Sequence, residues 1–167
     1  MEQIKIRNAV CGDAEIFAVI QTESWKTAFD TILSAEELNR HLDVPSNTQM
    51  YRRVLADSRY HGLLLSVNEK PHCIACWSAY RAENCPKDLA ELICIHSLKE
   101  NRRKGYGSLM MEQVCSDIKA AGYTKVCLWV FEQNYSAKKF YEKHGFTLTE
   151  ERNRAFGTDE VLYQKIL

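Results

Sequence analysis

Hydrophobic and polar positions along the chain change period several times, and each change marks an element. Gln3 to Arg7 alternates at period two and predicts a first strand. After Gly12-Asp13, a helix start with Asp13 as its N-cap, Ile16, Val19 and Ile20 recur at helical spacing. Trp25 to Leu33 is less regular. Ser34-x-x-Glu37 has the form of a capping box for a short helix ending near Leu42. Pro45-Ser46-Asn47 breaks the pattern, and a further helix is expected from Asn47 to Ala56. Two strands follow, His61 to Val67 and Pro71 to Tyr80, joined by a turn at Asn68-Glu69-Lys70.

Arg81 to Lys87 reads as a loop. Leu89 to Ser97 is almost continuously apolar, which predicts a central strand covered on both faces. Gly107 to Ala121 is a helix with Met110, Val114, Ile118 and Ala121 on one face, closed by Gly122. Thr124 to Val130 is a second central strand. Asn134 to His144 is a helix with Ala137, Phe140, Tyr141 and His144 as its buried stripe, closed by Gly145. Phe146 to Glu150 and Glu160 to Leu167 complete the chain as an antiparallel pair. The order predicts an α/β fold, a mixed sheet with helices on both faces, as one domain over residues 1–167.

Composition narrows the class. Hydrophobic residues make up 46% and charged residues 26% of the chain, and the formal net charge is zero. That is an ordinary globular balance without the basic excess of a general nucleic-acid binder. The longest apolar runs fall well short of a membrane span. The start alternates and carries charges, so it reads as a strand and not as a signal peptide. Seven cysteines, without an export signal, point to reduced thiols and a cytoplasmic protein. Cys73-x-x-Cys76 lies in a strand, where residues three apart point to opposite faces, and no second pair stands at zinc spacing; neither a metal nor a disulfide is expected.

The chemistry concentrates between the central strand and the helix that follows it. Arg102-Arg103-Lys104-Gly105-Tyr106-Gly107-Ser108 forms a turn that becomes the first turn of that helix. The first amides of a helix have no internal partner and sit at the positive end of its dipole, so a phosphate is their natural ligand. Gly105 and Gly107 carry no Cβ and allow close approach. Lys99, Arg102, Arg103 and Lys104 against Glu100 give a local charge of 4 − 1 = +3. The spacing matches neither the P-loop nor the dinucleotide fingerprint.

The spacing is instead Arg-x-x-Gly-x-Gly, and it resembles the coenzyme A loop of the GNAT superfamily of N-acetyltransferases. The segment Asn134-x-x-Ala137-x-x-Phe140-Tyr141-x-x-x-Gly145-Phe146 is similar to a second stretch of that family. Ser24 to Phe29 with Ile32 to Leu38, and Ala90 to Ile95, are similar to its early helices and its fourth strand. The resemblance runs from Ile4 to Ile166. It departs where members carry an apolar residue and then Pro, because Ser97 and Lys99 stand there.

The resemblance implies acetyl transfer from acetyl-CoA, a cosubstrate, to the amine of a small molecule, peptide or protein. It implies a fourth and fifth strand that splay apart. The amides near Ile95 to Ser97 would hold pantetheine, and Arg102, Arg103, Lys104, Gly105, Tyr106, Gly107 and Ser108 would hold the diphosphate. Asn134 would lie near pantetheine as well as capping its helix. Tyr141 matches the tyrosine that faces the departing thiolate, and so is a candidate acid as well as a candidate core aromatic. Glu91 is the candidate base, a carboxylate at the edge of an apolar strand whose pKa partial burial would raise; the same residue also fits a solvated strand end or a salt bridge. His96 is a reserve base, and His144 a packed or capping residue.

Trp25, Phe29 and Tyr80 are candidates to line the acceptor pocket. Glu36, Glu37, Asp43, Glu83 and Asp88 hint at an acidic rim for a cationic amine. A homodimer is the assembly the resemblance implies. A non-catalytic acyl-CoA-binding module on the same fold is the competing function, and a nucleotide-binding protein a distant third.

Overall fold

Residues along the second and third strands sort alternately into two cores, and this alternation shows how the layers stack. Leu63, Leu65, Cys73, Ala75 and Trp77 pack on one face, while Leu64 and Ile74 pack on the other. The computed structural model describes residues 2–101 and 103–167. Its strands are β1 (Ile4–Asn8), β2 (Tyr60–Val67), β3 (Lys70–Ala79), β4 (Leu89–Ser97), β5 (Lys125–Phe131), β6 (Thr147–Ala155) and β7 (Thr158–Ile166). Its helices are α1 (Ala14–Ala28), α2 (Ala35–Arg40), α3 (Val44–Ala56), α4 (Tyr106–Ala120) and α5 (Tyr135–Lys143).

The strands form one sheet in the order β1-β2-β3-β4-β5-β7-β6. Every pairing is antiparallel except β4 with β5. Met110, Met111, Val114 and Ile118 of α4 close one face. Phe17, Ala18 and Ile20 of α1, with Tyr51 of α3, close the other. The expected mixed sheet with helices on both faces is therefore the observed one.

The central pairing fails after its first rungs. Leu89, Ala90 and Glu91 face Lys125, Val126 and Cys127, and no further rung joins β4 to β5. Just beyond, Cys76 of β3 faces Cys94 while Trp77 faces Leu92, so Ile93 is an extra residue on β4. Such a bulge bends and twists its strand. Here it falls just past the last rung that β4 shares with β5, where the sheet opens into the splay that the resemblance implies.

Several local expectations change in detail. Asp13 does not cap α1 with its side chain. Its carboxylate accepts instead from Arg7 Nη1 and Nη2, at 2.7 and 2.8 Å, and from the Val10 amide at 2.8 Å. A 3-10 turn at Cys11–Asp13 brings these groups together. Pro45 does not break the chain; it sits in the first turn of α3, where its missing N–H costs nothing, and Asp43 caps that helix. The stripe Ala137, Phe140, Tyr141 and His144 is half-buried, because α5 borders the sheet opening. Strands β6 and β7 run longer than their hydrophobic pattern, since β6 is the edge strand and its Glu151, Arg152, Asn153 and Arg154 are exposed. Cys73 and Cys76 belong to opposite faces of the sheet: Cys73 packs under α4, and Cys76 lines the opening.

Candidate active site

The opening is a single cleft of about 1530 Å³ that passes between β4 and β5. One end is the turn into α4. Gly105, at the N-cap of α4, has φ +88°, a conformation side chains rarely adopt. Arg103 is also left-handed, with φ 65°. A non-glycine residue held there is costly, and such strain concentrates at ligand sites. Arg103, Gly105, Tyr106, Gly107 and Ser108 all line the cleft. Arg102 lies outside the described residues.

Side chains of this turn are partly committed elsewhere. The Tyr106 ring is buried and its hydroxyl donates to Glu2, so it is the backbone of Tyr106 that borders the ligand space. Lys104 Nζ stands 3.9 Å from Glu2. Ser108 Oγ meets His144 Nε2 at 3.0 Å, tying the start of α4 to the end of α5. His144 caps α5 and packs on Phe140, and burial lowers its pKa.

The middle of the cleft is the split sheet. Ile95 and Ser97 pair with Ala75 and Cys73 on their β3 side, while their other side faces the gap that β5 has left. Backbone groups on that edge have no neighbouring strand to satisfy them, and so suit an extended ligand arm. His96 lines the same stretch. Asn134 caps α5, accepting from the Ala137 amide at 3.2 Å, and also lines the cleft. Tyr141 approaches from α5. Burial pushes its phenol well up, with the neighbouring Cys94 adding to the shift. Cys94 is in turn pushed up to about 11 by burial. Its sulfur lies 3.9 Å from Tyr51 Oη, and Tyr51 donates to Gln21 Oε1.

The far end is built by α1, the end of α2 and the β6–β7 hairpin. Trp25, Phe29 and Tyr80 line it, joined by Phe131 and Phe156. Phe156 stands at the hairpin tip with φ 53° and packs edge-on against Trp25, Phe131 and His41. Glu91 lies at the same end, only 3% exposed. It is not a solvated strand end: Arg81 Nε and Nη2 donate to its two oxygens at 3.0 and 2.8 Å.

The acidic rim expected from Glu36, Glu37, Asp43, Glu83 and Asp88 is not assembled, since none of these lines the cleft. Glu36 and Glu37 pair with Arg40, Asp43 caps α3, and Asp88 accepts from Thr124. The carboxylate that joins Glu91 is Glu160 of β7. Sequence reasoning missed Glu160, Arg81, Phe156 and Cys94. Arg81 sat in an apparent loop, and Glu160 opened a strand as one acid among many.

A split parallel pair, a left-handed glycine at the head of the following helix, and a cleft running through the sheet define an acyl-transferase fold. A model of the acetyltransferase (GNAT) family matches residues 23–146, and the chain belongs to that family. It is 24% identical over 135 residues to the uncharacterized N-acetyltransferase YuaI of Bacillus subtilis (strain 168), covering 80% of this chain and 75% of that protein. The fold is similar to that of PaiA N-acetyltransferase from Thermoplasma acidophilum, solved in complex with coenzyme A (TM-score 0.80, 20% identity, 99% of each chain). It is similar also to yncA from Salmonella typhimurium, solved with its cofactor acetyl-CoA (TM-score 0.75, 17% identity, 98% of this chain and 94% of that one). Among the described residues no helix is long and apolar enough to cross a membrane.

Proposed function

We propose that this protein transfers an acetyl group from acetyl-CoA directly to a primary amine. The observation that carries this reading is the continuity of the cleft: one opening joins the α4 turn, the unpaired edge of β4 and an aromatic, carboxylate-bearing end. The cofactor complexes of PaiA and yncA, on the same fold, support acetyl-CoA as donor.

The residues present fit that donor. Gly105 has open space where a Cβ would stand, at the head of α4, so a diphosphate can approach the backbone closely there. The edge of β4 at Ile95 to Ser97 offers amides to the pantetheine arm, and one of them to the thioester oxygen as charge develops there. Acetyl-CoA supplies an activated acyl group. Transfer forms a nitrogen–carbon bond and breaks the carbon–sulfur bond.

Two protons must move. Tyr141, protonated throughout the physiological range because burial raises its phenol, donates to the departing sulfur. Glu91 receives the proton lost by the amine, directly or through water, on lone pairs that Arg81 leaves unused. Holding both reactants in one cleft supplies acceleration by proximity.

The test is to incubate the purified protein with acetyl-CoA and a panel of primary amines, following free thiol and the acetylated product. Acetyl-CoA consumption matched by an N-acetyl product supports the reading. Coenzyme A binding without acetylation of any amine would favour the non-catalytic module.

A further inference from the structure

Two carboxylates line the acceptor end of the cleft, and their surroundings differ. Glu91 is engaged by Arg81 through both oxygens. Among the described residues the Glu160 carboxylate forms no ion pair and accepts one hydrogen bond, from the Asn153 side-chain amide at 3.3 Å. It is half-buried, on the first part of β7, facing Phe131 of β5 on one side and Asn153 of β6 on the other. A half-buried carboxylate without a cation is an unfavourable arrangement in the empty protein, and an arriving cation relieves it.

The neighbouring surface is aromatic. Phe131 packs on Phe29 at 4.9 Å and on Phe156 at 5.9 Å between ring centroids, and Trp25 closes the group against Phe156 at 5.4 Å. Phe131, 5% exposed, backs the wall, and Phe156, 37% exposed, presents ring surface to the cleft. An apolar wall with a few convergent polar groups is the usual construction of a small-molecule site. Aromatic faces also attract an organic cation.

We propose that Glu160 docks the ammonium group of the acceptor, and that the acceptor is a primary amine carried on an aromatic or apolar body lying against Phe131, Phe156 and Trp25. This rests on the acetyl-transfer reading and names the substrate class of the same cleft. Glu160 binds the ammonium; Glu91 takes the first proton and frees the lone pair, and the second proton, lost once the nitrogen–carbon bond has formed, replaces the one Tyr141 gives to sulfur. A purely polar, multiply charged acceptor would leave the aromatic wall without a partner, and a neutral alcohol would leave Glu160 without one.

The groups facing Glu160 set the pH behaviour. They are Glu91, which Arg81 of the loop before β4 engages, and Asn153 on β6. His41 stands beyond Phe156. Burial raises the Glu160 pKa and the charge of Glu91 raises it further, whereas Asn153 lowers it. Amine affinity therefore falls as pH drops through that raised value, because the protonated carboxyl no longer pairs with the ammonium.

The experiment uses 2-phenylethylamine, its neutral analogue 2-phenylethanol, and n-butylamine. Binding to the protein saturated with coenzyme A is read by tryptophan fluorescence, and acetylation by initial rates. The wild type should bind 2-phenylethylamine roughly tenfold or more tightly than 2-phenylethanol, and more tightly than n-butylamine. Glu160→Gln should raise the amine Kd and KM roughly tenfold or more, abolish the acid limb of binding and leave the acetyl-CoA KM unchanged. Glu160→Asp should recover part of the affinity, and Phe156→Ala should weaken the aryl amine more than n-butylamine.

Wild-type amine affinity in Glu160→Gln, equal binding of amine and alcohol, or no interaction with 2-phenylethylamine would each overturn the proposal. Glu160-dependent binding with no N-acetyl product would leave the docking site standing and remove the acetyl-transfer reading. Acetylation with an unchanged KM in Glu160→Gln would do the reverse.

Discussion

Arg81 donates from Nε and Nη2 to the two carboxylate oxygens of Glu91, at 3.0 and 2.8 Å, joining the loop after β3 to the last paired rung of β4. The Glu91 side chain is 4% exposed and that of Arg81 53%, so the pair lies between a surface bridge and a buried one. Arg81→Met should destabilise the fold by about 1 to 3 kcal/mol, mostly from leaving Glu91 without its cation. Adding Glu91→Gln should recover part of that loss. Urea unfolding of the wild type, both single variants and the double variant measures the coupling. Additive losses would mean that the pair carries no stability.

The α4 turn offers a separation of binding from folding. Gly105→Asp and Gly107→Glu put a carboxylate where the diphosphate is expected, and both should lose coenzyme A binding by calorimetry. Gly105→Ala adds no charge and meets no neighbouring atom, but must hold φ +88°. It should cost about 1 to 2 kcal/mol of stability while leaving measurable binding. Wild-type affinity in either charged variant would move the diphosphate elsewhere.

Tyr141→Phe should keep coenzyme A affinity and lower kcat on the order of 10²-fold, the worth of a positioned acid. Because burial already raises the phenol, its ionisation should not appear as a limb of the pH–rate profile below the ordinary tyrosine range. Glu91→Gln should lower the rate chiefly at low pH, where the amine most needs a proton acceptor. Steady-state kinetics of both variants on one identified amine, from acid to alkaline pH, separates the two roles. Unchanged rates across that range would remove both residues from the chemistry.

Asp13 predicts a pH dependence of stability. Hydrogen bonds from Arg7, then from the Val10 amide, hold its folded pKa below the ordinary carboxylate value, against the opposing effect of burial. A depressed folded pKa means that the unfolded chain binds more protons, so the contribution is present above about pH 4 and fades as pH falls through the folded value. Asp13→Asn should therefore lower the urea midpoint at pH 7, and the gap to wild type should narrow below pH 4. A gap that stays constant with pH would assign the loss to packing alone.

Local order determines whatever the sequence alone reveals. The glycine of the α4 turn, the Asn134 and Ser34 caps, the apolar run of β4 and the helical stripe of α4 each depend on residues close in the chain. Their boundaries and the resemblance to one family could be read without coordinates. A helix start reads differently where a residue just upstream competes, as Arg7 does for the Asp13 carboxylate.

Tertiary structure decided the rest. The bulge at Ile93 becomes visible only when β3 supplies a register, and the missing rungs only when β5 lies alongside. In the sequence Glu91 fits a base, a solvated strand end or a salt bridge alike; only Arg81, reaching it across the loop, makes it a buried ion-pair partner. Glu160 and Phe156 became site residues because β7 inserts between β5 and β6 and carries the hairpin tip over to Trp25. A charge acquires its partner, and an aromatic its wall, from elements far apart in sequence; short-range periodicity does not encode that distance.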